Sequence, residues 1–313
     1  MAFEEPELSV VVVAYRMARE LPRTLRSLSP EMQRGIRAEQ YEIIVVDNGS
    51  PQPIAIETIP TLSAQVNYYR FEKAPVSPAS AINFGLQRAR GTLIGVMIDG
   101  ARMASPGLLA SALLAARLDD RPVISTLGFH LGPEVQMTSV QNGYNQEQED
   151  NLLNSVRWSE DGYRLFDISV LAGSSSNGFF LPISESNALF MPSALWRELG
   201  GFDERFTSPG GGLVNLDTYL RACQLPSTKL IVLLGEGTFH QVHGGISTNA
   251  TVSPYPEFHK EYVRLRNKDF APFDGESLYV GRVAVQALTV IQRSAQLALE
   301  RRLKSPSPRH GKI

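Results

Sequence analysis

Residues 8–14 read LSVVVVA and residues 42–50 read EIIVVDNGS. Short, almost unbroken Val/Ile runs of this kind are strands buried on both faces, as in a parallel sheet. Between them, Leu21, Leu25 and Leu28 recur at i, i+4 and i+7, the stripe of an amphipathic helix over residues 19–28. The rhythm continues with a strand over 66–71, a helix over 81–89 closed by Gly91, a strand over 93–98 ending at Asp99-Gly100, and a helix over 107–117 opened by Pro106. Strand and helix in alternation predict right-handed crossovers and an α/β domain with a mostly parallel sheet covered by helices on both faces. Ligands bind such sheets beyond the carboxyl ends of the strands. Three polar clusters fall at those ends: Tyr15-Arg16, residues 47–50, and residues 99–102.

The 313 residues carry 30 Lys+Arg against 32 Asp+Glu, a formal net charge of -2, which argues against a nucleic-acid binder. Ordinary globular composition, 43% hydrophobic and 20% charged, excludes wholesale disorder. Cys223 is the only cysteine, so neither an intrachain disulfide nor a multi-cysteine zinc site is available. The first ten residues, MAFEEPELSV, have acids where a signal peptide has bases. The longest apolar runs, 10–14 and 230–234, fall far short of the roughly 20 residues that span a bilayer. The expectation is a cytoplasmic protein.

Residues 139–161 are polar and weakly periodic, which predicts an irregular segment, either a functional loop or disordered. Regular structure resumes with a strand over 186–190, helices over 193–199 and 215–223, and a strand over 230–234. A long helix is predicted over 283–304, with Ala284, Ala287, Leu288, Ile291 and Ala295 on one face. Its tail, RRLKSPSPRHGKI, is basic throughout and suits a docking helix with a solvated end, or a peripheral membrane or protein contact. No internal repeat is present.

With these elements in order, the chain resembles a family 2 glycosyltransferase of the GT-A fold over roughly residues 8–250. The segments that carry the resemblance are VVVAYRMARELPRTLRSL, EIIVVDNGS, SAINFGLQRARGTLIGVMIDGARMASPGLL, ESNALFMPSALWRELGGFDERF, LDTYLRA and HQVHGGIS. The resemblance implies a GT-A domain over 1–250, with a nucleotide-binding half (8–130), an acceptor-binding half (131–250) and a helical extension over 251–313. It also implies transfer of a sugar from a nucleotide-sugar, UDP-linked, to a glycan or other hydroxyl acceptor with inversion.

Residue by residue, the resemblance makes Asp47 the acceptor of hydrogen bonds from the base, although a turn carboxylate bonding its own backbone is the ordinary alternative. Ala14 and Tyr15 match the first-strand end that packs on the base, where Tyr15 either stacks or is an ordinary half-buried aromatic. Asn83 matches a donor-site Asn, but Ile82 stands where relatives often have Arg. Asp99 matches the first carboxylate of the Asp-x-Asp motif that holds a divalent cation, Mn or Mg, against the pyrophosphate. Here the motif reads Asp99-Gly100-Ala101 and Arg102 follows, either a bidentate phosphate donor that weakens metal dependence or a solvated flanking residue. His243 matches a His that touches metal or phosphate. His240, three residues earlier on an extended segment, need not face the same way, so a two-His metal site is not expected.

The catalytic-base motif has also departed. Asn215 occupies the usual base position, and an amide cannot take a proton. Asp217 is the surviving acid, read either as the base or as a first-turn acid favourable to the helix dipole. Glu185 and Glu204 are other carboxylates nearby. Gly210-Gly211-Gly212 is a hinge or a long turn. These losses leave a competing reading, a catalytically degenerate module that binds nucleotide or glycan as a scaffold. A dinucleotide oxidoreductase is excluded because no Gly-x-Gly-x-x-Gly follows the first strand.

Overall fold

The computed structural model describes residues 5–52, 54, 65–72, 74–246, 249–250 and 252–304. Its first half follows the predicted alternation: β1 (Leu8–Ala14), α1 (Leu21–Ser27), β2 (Tyr41–Asp47), β3 (Gln65–Arg70), α2 (Ala79–Arg88), β4 (Leu93–Met97), β5 (Arg102–Ala104) and α3 (Leu108–Ala115). Then come β6 (Pro122–Leu131), α4 (Gln136–Gln141), α5 (Gln146–Ser155), β7 (Ser169–Leu171), β8 (Ala188–Pro192), α6 (Ser193–Leu199) and α7 (Val214–Gln224). The chain ends in β9 (Lys229–His240), α8 (Tyr255–Arg266), β10 (Ser277–Val280) and α9 (Leu288–Lys304). One sheet runs β10-β9-β6-β8-β4-β1-β2-β3, with β5 paired to β9 and β7 to β6. The β3-β2-β1-β4 block is parallel, and β8 enters antiparallel beside β4.

Strand periodicity divides the core in two. Val11, Val13, Ile44 and Val46 face α2, whose Ala81 and Ile82 join the same core. Val10, Val12, Ile43 and Val45 face Leu21 and Leu25 of α1 and Leu108 and Leu109 of α3. A Cβ on Gly85 would sit 2.4 Å from Val11 Cγ1, so the glycine lets α2 lie directly on β1.

The segment 139–161 is not the irregular loop its composition suggests. It holds the end of α4 and all of α5, which starts where the Asn145 side chain accepts from Gln148 N at 3.1 Å. Leu153, Val156 and Trp158 are buried in the core, but the inward residue one turn earlier is the fully buried Glu149. A charged residue at a core position hides the helical stripe from sequence reasoning.

β9 likewise runs past the predicted stop at Leu234. Ser125 pairs with Val232 but Leu127 with Gly237, so β9 bulges at Gly235 (φ +81°) and resumes to His240. The expected division at residue 250 does not divide the sheet, because β10 pairs with β9. The last helix begins at Leu288 after a 3-10 turn, and Leu288, assigned to its apolar face, is exposed. The rest of that face holds: Ala287 is buried in the core, Ala284 and Ile291 pack against it with Val290, and Ser294 lies on Gly178. Tail residues 305–313 lie outside the described residues. Among the described residues no helix is long and apolar enough to cross a membrane.

The bulge buries Glu236, which accepts from Ser105 Oγ, from Tyr163 Oη at 2.8 Å and from Gly107 N at 3.2 Å. Burial pushes its carboxyl up to about 7 against these bonds. The folded state therefore keeps a proton that the unfolded chain releases, so stability falls as pH rises from about 4.5 to about 7 and is flat on either side. Denaturant midpoints at pH 5 and pH 7.5 should differ less in Glu236→Gln than in the parent. The difference removed is bounded by about 1.4 kcal/mol per pH unit. An unchanged difference contradicts the assignment.

Candidate functional site

The parallel strands end together on one edge. Ala14, fully buried, pairs in register with Asp47, and Tyr15 follows it, 44% exposed with the Arg16 guanidinium 5.2 Å from its ring centre. Beyond β4 the chain turns through Asp99-Gly100-Ala101. Thr24 Oγ1 donates to Gly100 O (2.7 Å) and Gln241 N to Ala101 O (2.9 Å), so the turn is fixed from both sides. Asp99 Oδ1 accepts from Ala101 N and Oδ2 from Arg102 Nε, both at 3.0 Å.

Arg102 then opens β5 directly opposite His240 at the end of β9. His240 Nε2 lies 3.6 Å from Asp99 Oδ2 and 3.1 Å from His243 Nε2. The two histidines, not expected to share a face, do so because the chain turns after β9. Asp99, His240 and His243 thus present their donor atoms within 4.8 Å of one another.

His240 is held in one tautomer. Its Nδ1–H bonds Gln136 Oε1, while Gln136 Nε2 donates to Gln241 O at 3.4 Å. The Nε2 lone pair is therefore directed at the cluster, as a metal ligand requires. Burial keeps His240 neutral, and the charge of Arg102 adds to that effect. Gln136 N also donates to His130 Nδ1 at 2.8 Å, and desolvation pushes that ring down to about 4, with Arg102 again contributing. Arg102 is 8% exposed, and its Nη1 has no hydrogen-bond partner among the described residues. A buried guanidinium nitrogen left without a partner beside a carboxylate and two imidazoles suits an anion together with a divalent cation.

The His-bearing turn is clamped by α5. Glu149 Oε2 accepts from Val242 N at 2.8 Å, and Arg19 bridges Glu149 to Val242 O. Burial pushes the Glu149 carboxyl up to about 7. Sequence reasoning missed His240, Gln136 and Glu149 as site residues. Glu149 lies in the segment read as irregular and Gln136 just before it, and only the fold brings them to β9.

Other expected residues have different surroundings. Asp47 is fully buried, with Oδ1 accepting from Ser50 N and Oδ2 from Tyr68 Oη, each at 2.8 Å. Asp47 thus bonds the backbone of its own turn, on the same edge as Tyr15. Asn83, expected as a donor contact, bonds residues 202 and 204. Its Nδ2 donates to Phe202 O and Glu204 Oε1 and its Oδ1 accepts from Phe202 N, which uses up the amide on the GGFDE turn.

Asp217, the expected base, is held in ion pairs. It is 1% exposed, with Oδ1 taken by Arg266 Nε at 2.6 Å and Oδ2 by Arg221 Nε at 2.8 Å and Arg266 Nη2 at 2.7 Å. Both oxygens are thus engaged by arginines. In the same helix, Asn215 Nδ2 donates to Glu185 Oε2 at 2.5 Å.

A profile of the Glycosyl transferase family 2 matches residues 9–169, just over half of the chain. Validoxylamine A glucosyltransferases of Streptomyces hygroscopicus subsp. jinggangensis (strain 5008) and subsp. limoneus are each 27% identical over 235 residues, 71% of this chain. The match covers 53% and 49% of their lengths, so the chain spans about half of these curated relatives. S. aureus TarS 1-349 in complex with UDP-GlcNAc is similar with a TM-score of 0.54 at 15% identity, over 96% of this chain and 73% of that one. A further TarS crystal structure has a TM-score of 0.51 at 13% identity, over 83% of this chain and 43% of that one. This likeness is one of fold, and the expected GT-A architecture is the one present.

Leaving Arg266 and Arg221 beside a neutral group costs about 3 kcal/mol, the range for breaking a buried ion pair. Asp217→Asn should therefore lower the unfolding free energy from denaturant titration by that amount while leaving nucleotide affinity of the folded protein unchanged. A variant as stable as the parent contradicts the structural role.

Proposed function

Because the chain belongs to glycosyl transferase family 2, we propose that it transfers a sugar from a nucleoside diphosphate sugar to an acceptor hydroxyl with inversion. The observation that carries the proposal is the convergence of Asp99, the Arg102 guanidinium with its unpartnered Nη1, His240 and His243 on the carboxyl edge of the sheet. Arg102 binds the diphosphate through Nη1, its Nε remaining on Asp99. Tyr15, exposed on the same edge, offers a stacking face to the base. Asp47 is the base acceptor of the proposal and takes that role when the Tyr68 hydroxyl gives way. UDP is the nucleotide of choice, since the solved neighbour holds UDP-GlcNAc. A divalent cation, Mn or Mg, would be held by Asp99, His240 and His243. It would supply charge neutralisation for the departing diphosphate. Arg102 carries part of that charge, so metal dependence is weak.

The acceptor is a glycan or other hydroxyl compound approaching residues 184–187. A peripheral surface contact through α9, which exposes Leu299 and Leu303 beside Arg301, Arg302 and Lys304, belongs to the same proposal. The degenerate-module reading is favoured by Asn215 at the usual base position and by the engaged Asp217.

Calorimetric titration with UDP-glucose and UDP-GlcNAc, followed by a turnover assay on any donor that binds, tests the proposal. Binding with turnover is expected, and binding without turnover supports the module. Arg102→Ala should weaken UDP by about 1.5–3 kcal/mol, the range for bonds to charged groups, and leave uridine binding unchanged. Equal losses for UDP and uridine contradict the diphosphate assignment. EDTA should weaken UDP binding without abolishing it, and complete loss restored by manganese contradicts the role given to Arg102.

A further inference from the structure

The usual base position on α7 holds Asn215, whose amide cannot accept a proton, and Asp217 is engaged by two arginines. A carboxylate nevertheless stands at that position. Asn215 is 5% exposed and donates from Nδ2 to Glu185 Oε2 at 2.5 Å and to Ser186 O at 3.3 Å. The geometry points to Glu185 as the general base of the transfer, with Asn215 as the residue that positions it. This inference rests on the transferase reading above.

The location fits. Ile98 N donates to Asn187 O at 3.4 Å, so residues 185–187 lie beside the end of β4, one residue before Asp99. Asn187 and Arg102 both close on Gly128, where an added Cβ would lie 2.7 Å from Asn187 Nδ2 and 3.6 Å from Arg102 Nη1. The Glu185 segment therefore borders the Arg102 guanidinium.

The chemistry fits as well. Among the carboxylates near this edge, Asp99 is paired with Arg102, Asp203 with Arg205 and Arg266, and Asp217 with Arg221 and Arg266. Asp47 is enclosed and Glu204 bonds Asn83. Glu185 is half-buried, has no cationic partner among the described residues, and keeps Oε1 without a hydrogen bond there. A neutral amide fixes one oxygen and leaves the other, Oε1, to take a proton. The acceptor O–H passes its proton to Oε1 as its oxygen bonds the anomeric carbon. The bond from that carbon to the phosphate oxygen breaks, and the nucleoside diphosphate leaves with the electron pair.

The test uses the full chain and release of UDP from UDP-glucose and UDP-GlcNAc with water as the nucleophile. Glu185→Gln should lose at least about 10²-fold in kcat, with UDP affinity and thermal midpoint unchanged, and should lose the acidic limb of the kcat/KM profile. Asn215→Ala should lower kcat but keep that limb. Asn215→Asp, which sets two carboxylates together, should move the limb to higher pH. Glu204→Gln should turn over at the parent rate. If the parent is active and Glu185→Gln retains its rate and acidic limb, this inference is overturned alone. If the parent binds UDP but releases none from either donor, the transferase reading falls and the inference with it.

Discussion

The pairing of β5 with the far end of β9 is the constraint on which the site depends. β5 is three residues long, and its register sets Arg102 opposite His240. Asp99 precedes it by one tight turn, so a carboxylate from the nucleotide half and an imidazole from the late strand meet across one backbone ladder. The bulge at Gly235 lets this happen, because it shifts the register of β9 within its pairing with β6, which resumes at Gly237 and runs to His240. Without the bulge, the alternation of side chains along β9 would be shifted and His240 would face the other side.

Polar side chains, not apolar contacts, complete the arrangement. Gln136 fixes the His240 tautomer and Glu149 holds the Val242 amide, both fully buried. Buried polar groups are costly unless satisfied, so each restricts the turn to a single geometry. The helix pair that carries them is a scaffold for the histidines. On the other flank, the Asp217 pairs with Arg221 and Arg266 tie α7 to α8, which keeps the first turn of α7, and with it Asn215, against Glu185.

The parallel block was legible because strands buried on both faces leave continuous Val/Ile runs, and their polar ends named Asp99 and Arg102 correctly as neighbours. The rest was hidden for identifiable reasons. α5 turns a glutamate inward, which breaks the apolar stripe. The Gly235-Glu236-Gly237 run looks like a strand terminator but is a bulge. Asn83 and Asp217 matched motif positions, but their partners, Phe202 and Arg266, are distant in sequence, so the commitment of their polar atoms was invisible. His240 and His243 look unrelated on an extended segment and meet because the chain turns between them. Glu185 was noticed only as a nearby acid, and its bond to Asn215 is what gives it meaning.

The crystal structure of the chain with UDP and manganese tests the central claim most directly. The account predicts the diphosphate within hydrogen-bond distance of Arg102 Nη1, with the ion on Asp99, His240 and His243. A diphosphate seated instead in the basic cleft lined by Arg205, Arg221 and Arg266, with the histidine cluster untouched, would contradict it.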